Sequence, residues 1–430
     1  MSAATLSTGL QAVAALLVLL IVFAGLRRSP KVAVFVWLFV ICFVPIWIGQ
    51  TVVAYFPAFV IVSLLAAISL LPTVSRVRWS VADGIFVAVA IVVVAEYAVG
   101  LTTRSGTFDL VVNWGSAFLL GRIVTAVLDP RWIYSAIAVF FSVVAALALA
   151  EFALGTNPFT TLLANNTASY ALWGGLQPRG TILRAEGAFG HSIALGSSLG
   201  VAAAMTMGSR FRPWLRTAML GLIVGGAVVS FSRTGMITAG LGIVLACLFL
   251  REPLSRRYRT TMLIAALAAA AAVFITIQDV FLASGDEAEG SALYRSELLQ
   301  LIGYIRPLGL AANFTVSTNA QVSIGEFGSV DNALLLFGLT FGWIPSVLVL
   351  LMLVVAAGYL LRRRATPAVI AVLAQSPALV TVAFITQYAA VFWFAAGLAV
   401  STQVLANTTA GRRSTPKPLP VGAALVSSAA

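Results

Sequence analysis

Residues 282–314 read LASGDEAEGSALYRSELLQLIGYIRPLGLAANF, and after a further polar run residues 325–345 read GEFGSVDNALLLFGLTFGWIP. On both sides the chain is apolar over lengths of roughly 17–25 residues, enough to cross the hydrocarbon core as helix. This stretch is the longest polar-containing interruption in the chain. Reading it as a loop between membrane spans makes the whole an all-α polytopic membrane protein. Charged residues are 9% of the 430 and apolar residues 60%, whereas a water-soluble chain of this length has about a quarter of its residues charged.

Working outward from the loop, apolar runs fall at 10–26, 31–49, 52–71, 82–101, 109–128, 132–154, 190–208, 214–230, 234–250, 261–281, 332–358, 367–384 and 388–406. Gln375, Pro377 and Gln387 interrupt the last pair, and Pro45, Gly49, Gln50 and Pro57 interrupt the second and third. About 12–13 transmembrane helices are therefore expected, in a single domain over 1–406. Two long outer loops are expected at about 155–189 and 282–330, with a disordered cytoplasmic tail at 407–430.

The cations test this count. Nineteen Lys and Arg fall in the links assigned inside. The outer links hold Arg104, Arg179, Arg184, Arg233, Arg295 and Arg306, and Arg122 lies within a span. A miscounted helix would scramble that bias. The first apolar run has no basic segment before it and Arg27-Arg28 after it, which argues against a cleaved signal and puts the N-terminus outside and the C-terminus in the cytoplasm. The net charge of +12 is spread over short links rather than one soluble face, so no nucleic-acid partner is expected. Arginine dominates lysine, and with abundant Ala and Val this is the composition of a GC-rich bacterial genome. Cys42 and Cys247 both lie in apolar runs and say little about redox compartment.

The outer arginines are exceptions to a strong rule, and five of the six sit in special local sequence. RGTILRAEGAFGHSIALG (179–196) sets Arg184, Glu186 and His191 just before an apolar helix. Free N–H groups and the helix dipole favour an anion there, although a polar loop with a capped helix start explains the same residues. His191 is the chain's one histidine. It reads as a helix-start hydrogen-bonding group or as a general base, and with no Cys or second His nearby it has no partners for a metal site. SFSRTG (230–235) joins two helices with almost no loop. Arg233 there either snorkels to lipid phosphate or offers its fork of N–H groups to a ligand phosphate. Between Arg295 and Arg306 the apolar residues have helical spacing, which predicts an amphipathic surface helix. Asp331 reads as the N-cap of the following helix or as a base.

The order R-x-x-G-x-F-x-H at Arg184 to His191, S-R-x-G at Ser232 to Gly235, Arg295 followed by Pro307 and Gly309, then Asp331-Asn332 before an apolar helix resembles the O-antigen ligase and polymerase superfamily. That resemblance implies a GT-C-like helical bundle in the bacterial plasma membrane. It implies glycosyl transfer from an undecaprenyl-diphosphate-linked glycan at the outer face, with no cofactor and no metal. Membrane lipid and other polysaccharide export proteins are the implied partners. Arg184, Arg233 and Arg295 would bind the carrier diphosphate and Asp331 would serve the acceptor hydroxyl. Glu186, His191, Arg306 and Asn332 would contribute to substrate binding. Asp-Asn in place of a histidine favours a polymerase of surface or exopolysaccharide over an O-antigen ligase. A transporter or flippase of an amphiphile is the alternative from another class.

Overall fold

The structure is a computed structural model that describes residues 20–51, 54–162, 164–179, 182–250, 254–283, 294, 297–316, 322–325 and 327–414. Proline marks the first turn of helices at Pro30, Pro130, Pro213 and Pro367, where its missing N–H has no intrahelical partner to lose. In chain order the helices are α1 (20–28), α2 (Pro30–Phe43), α3 (Ala58–Leu70), α4 (Val81–Ala98), α5 (Arg104–Phe108) and α6 (Gly115–Ile123). A π-helical turn at Asp109–Trp114 joins the last two. Then follow α7 (Pro130–Leu154), α8 (Thr167–Trp173), α9 (Ser192–Thr206), α10 (Pro213–Val229), α11 (Arg233–Phe249) and α12 (Arg256–Ala283). After the long loop come α13 (Ala333–Phe341), α14 (Trp343–Leu361), α15 (Pro367–Ala374), α16 (Ser376–Thr381) and α17 (Thr386–Ser414). Three antiparallel hairpins decorate the links, with registers Gln50↔Phe56, Arg179↔Ile182 and Thr315↔Ser323.

Among the described residues five helical segments are long and apolar enough to cross a membrane: Ala58–Arg76, Val81–Ala98, Pro130–Leu154, Trp343–Leu361 and Thr386–Thr409. Five shorter apolar helices accompany them, and α12 runs 28 residues. Each expected apolar stretch after the first is largely helical; most of the first, 10–19, lies outside the described residues. Of the 12–13 spans expected, five are of full spanning length among the described residues, and the other apolar stretches form helices of unequal length. Those of 13–17 residues rise only about 20–26 Å.

The links sort to two ends. At one, which carries the longer connections, Leu310 N–H donates to the Leu101 carbonyl (2.8 Å), Asn166 N–H to that of Trp47 (3.2 Å) and Ala185 N–H to that of Val229 (3.0 Å). At the opposite end Arg210 pairs with Asp129 (3.1 Å), Leu250 bridges to Ala365 and the Thr366 and Thr402 hydroxyls meet at 2.9 Å. These contacts hold the links together within each end of the bundle. At the centre α9 is buried along nearly its whole length, packed by α7, α10, α11, α15 and α17.

Several expectations need correction. The apolar run 332–358 is not one helix. It breaks at Gly342 (φ 84°, ψ −179°), a backbone region open essentially to glycine alone. A Cβ there would stand 2.7 Å from Leu308 Cα and 2.8 Å from the Arg306 oxygen. Gly342→Ala should therefore lower the thermal unfolding midpoint in detergent, through strain of about 1–3 kcal/mol plus the overlap. Gly358→Ala, on a helix with nothing within 4 Å, should leave it unchanged; equal midpoints for the two variants would refute this reading.

The segment from Leu299 to Tyr304 is a 3-10 helix, where an amphipathic α-helix was expected. It has two faces: Leu298 and Leu301 are buried in a cluster with Ile324, Leu335 and Leu339, while Leu299, Ile302 and Tyr304 are exposed. The last helix runs on to Ser414, into the stretch expected as a tail, and the Thr408 and Thr409 hydroxyls donate back to the Leu405 carbonyl (2.9 and 3.0 Å) along it. Residues 415–430 lie outside the described residues. Arg122, the one cation expected within a span, is 5% exposed, and its Nη2 donates to Asp83 at 2.8 Å while Asp83 also closes the capping box of α4.

Candidate functional site

Helix starts gather at the loop end. α9 begins at Ser192, α11 at Arg233, α13 at Ala333 and α17 at Thr386. Glycine brings the first two together: a Cβ on Gly235 would stand 2.6 Å from Gly196 Cα, so the helices touch backbone to backbone. The turn before α11 is equally tight. Phe231 takes φ 47°, and the Ser232 hydroxyl accepts from Gly235 N–H at 3.1 Å. Thr234 meets Thr381 hydroxyl to hydroxyl at 3.3 Å. The next residue, Val382, accepts from Ala333 N–H at 2.9 Å. The Gln387 amide, one residue into α17, donates to the Ala188 carbonyl at 2.8 Å. These contacts link the segment carrying Arg184 and Glu186 to the α11 start, and the α11 start to Asp331-Asn332. Three of these starts are capped by His191, Ser232 and Asn332, and the positive ends of the helix dipoles make this end of the bundle favourable to an anion.

Arg184 is positioned from below. Its guanidinium donates to the Gln177 carbonyl (3.1 Å) and side-chain oxygen (3.0 Å), which ties it to the hairpin Pro178–Arg179/Ile182–Leu183. Glu186 is 1% exposed and accepts from Gln177 N–H at 3.1 Å, so it supports the hairpin that carries Arg184. Burial pushes its carboxyl up to about 7. The Gln177 N–H and the Arg184 charge lower it, and Glu151 raises it further. Glu151 itself accepts from the N–H groups of Glu186 (3.0 Å) and Gly187 (2.9 Å).

His191 is the N-cap of α9, and its Nδ1 accepts from Ile193 N–H at 3.1 Å. That bond leaves the ring proton on Nε2. With that acceptor nitrogen occupied, the ring can donate a hydrogen bond from Nε2 but is not placed as a general base.

Arg233 is exposed at the first position of α11. Asp331 is exposed and accepts from the Ser329 hydroxyl at 2.9 Å. The cap of α13 is Asn332, whose side chain accepts from Leu335 N–H at 2.9 Å. Capping therefore accounts for Asn332 and leaves the Asp331 carboxylate outside the helix. Tyr294 donates its hydroxyl to the Ser329 carbonyl, which ties the far end of the long loop to this spot. Arg295 lies outside the described residues. Arg306 is exposed, and its carbonyl accepts from Trp343 N–H (2.9 Å). It therefore stands at the opposite end of α13 from Asp331, about 15 Å along the helix axis, and the fold does not bring the two together.

An apolar groove of about 550 Å³ starts beside this cluster at Ala333, Leu334 and Phe384. It descends between α4 and α14 on one side and α15 and α17 on the other, past Phe392, Trp393 and Val400. Glu151, Gln387 and Thr381 were not singled out as site residues from sequence. A lone acid or amide inside an apolar run was the available signal, and only its tertiary partners separate support from chance. No known protein family, curated protein or solved structure matches the chain.

Proposed function

We propose that the chain polymerises undecaprenyl-diphosphate-linked oligosaccharide repeat units into a surface or exopolysaccharide, by metal-independent, inverting glycosyl transfer of the O-antigen ligase and polymerase type. One observation carries the reading. The segments that carry Arg184, Arg233 and Asp331, with the helix starts beside them, contact one another at the end of the bundle where an apolar groove begins. A phosphorylated lipid has both halves of that chemistry. The diphosphate meets arginine forks and N–H groups, and its hydrocarbon chain lies in the groove.

In the reaction the acceptor hydroxyl oxygen forms a bond to the anomeric carbon. The bond from that carbon to the diphosphate oxygen breaks, and its electron pair leaves with the phosphate. Arg184 and Arg233 neutralise the departing charge. Asp331 accepts the hydroxyl proton. The hairpin on Gln177 and Glu186 holds Arg184 in place. Arg295, in the role the resemblance implies, would add a further cation.

The interrupted segment at 382–385, between α16 and α17, favours a second reading, because broken helices also build transporter sites. Buried Gln375 and Gln387 flank that break. Reconstitution with purified lipid-linked repeat units separates the readings. A ladder of polymer is expected. A single transfer to another acceptor would make the protein a ligase, and movement of intact donor across the bilayer without bond formation would make it a transporter.

A further inference from the structure

The groove does not end at the membrane centre. Its far end is lined by Ser80, Tyr359, Gln403, Asn407 and Thr408, a polar collar below apolar walls. Gln403 is 5% exposed. Its Nε2 donates to the Asn407 side-chain oxygen at 3.1 Å, and Asn407 donates to the Tyr359 hydroxyl at 3.2 Å. The Gln403 Oε1 is buried with no donor among the described residues, a costly arrangement unless an occupant supplies one. Gln403 lies seventeen residues beyond Thr386 on α17, about 26 Å from the loop end. A polyprenyl chain entering from there is pure hydrocarbon and offers no donor.

The rim of this lower mouth is cationic. Arg78 precedes Ser80 by two residues, and Arg362, Arg363 and Arg364 follow Tyr359 directly after α14. All four are exposed, and Trp79 beside them is 68% exposed, the placement of an interfacial aromatic anchor. The two outer walls lean on the bundle only lightly: the spanning window of α14 is 11% buried and that of α4 22%, which leaves a side route from the bilayer.

We propose that the lower end of the groove is a binding site for an anionic phospholipid with a hydroxylated head group, such as phosphatidylglycerol. An acyl chain lies along the apolar walls, a head-group hydroxyl donates to Gln403 Oε1, and the phosphate faces the arginine rim. The upper end stays available to a second chain, and the inference does not rest on the polymerase reading: a protein that makes no polymer can still hold this lipid.

The test is native mass spectrometry of the full-length protein, delipidated in detergent and titrated with phosphatidylglycerol or phosphatidylcholine. One phosphatidylglycerol per chain is expected, held more tightly than phosphatidylcholine. Gln403→Leu should weaken phosphatidylglycerol about fivefold, the loss of one hydrogen bond, and leave phosphatidylcholine unchanged. Val400→Trp, which fills the groove, should abolish retention of both. Equal retention of the two lipids by the unmodified protein would overturn the proposal, as would undiminished phosphatidylglycerol binding by either variant. Should Gln403→Leu fail to accumulate, the head-group comparison on the unmodified protein still decides.

Discussion

Arg233→Ala should abolish polymer formation in reconstituted vesicles while the protein still inserts in the membrane. Loss of one side chain that donates two charge-assisted hydrogen bonds to a buried or departing phosphate removes about 3–5 kcal/mol, a rate loss of about two to four powers of ten. Arg233 is exposed, and the turn that carries it is held by backbone and serine contacts, Ser232 to Gly235 N–H and Ser230 to the Ala227 carbonyl at 2.7 Å. Arg233→Lys separates charge from geometry. A point charge without the fork should recover part of the rate and remain at least about tenfold impaired. An unchanged ladder of products from Arg233→Ala would remove this residue from the site.

Asp331→Asn should cost about two to four powers of ten in initial rate, the usual contribution of a positioned base, and nothing measurable in stability. This separation rests on one finding. The α13 cap is made by Asn332, so removing the neighbouring carboxylate leaves the helix start intact. Asn332→Ala supplies the contrast: it should lower stability by about 1 kcal/mol. Initial rates and unfolding midpoints measured on the same preparations check both. Were Asp331→Asn to lower the midpoint and keep the rate, the carboxylate would be structural and the base would have to be sought elsewhere.

The helical character of the chain was legible from residue order because it depends on local quantities. Runs of apolar side chains at spanning length, proline at helix starts and clusters of arginine in short links act over twenty residues or fewer. The outer arginines could be singled out for the same reason, as breaks in a local rule. Sequence also marked where the last apolar stretch divides, since Gln375, Pro377 and Gln387 are poor company for a continuous span. It could not show that 332–358 breaks at Gly342, because a glycine in an apolar run is common and the reason for this one is the backbone of Arg306 and Leu308 pressed against it.

Which segments lie side by side was decided only by tertiary structure. The segments carrying Arg184 and Arg233 are joined through Ala185 and Val229, and those carrying Arg233 and Asp331 through Thr234–Thr381 and Val382–Ala333. These contacts join residues far apart along the chain, and the sequence contains no local signal for them. The fold also resolved two ambiguous pairs. His191, open between base and cap, has its acceptor nitrogen committed to Ile193 N–H. Of Asp331 and Asn332, either of which could cap a helix, the second does so. Sequence alone determined a membrane-spanning helical chain with arginines where a charge rule forbids them, because hydropathy and charge are properties of each segment by itself. Tertiary structure decided which of the segments that carry them lie together, that Asn332 and not Asp331 caps α13, and where the groove runs, because each depends on close approach between segments that a linear sequence does not order.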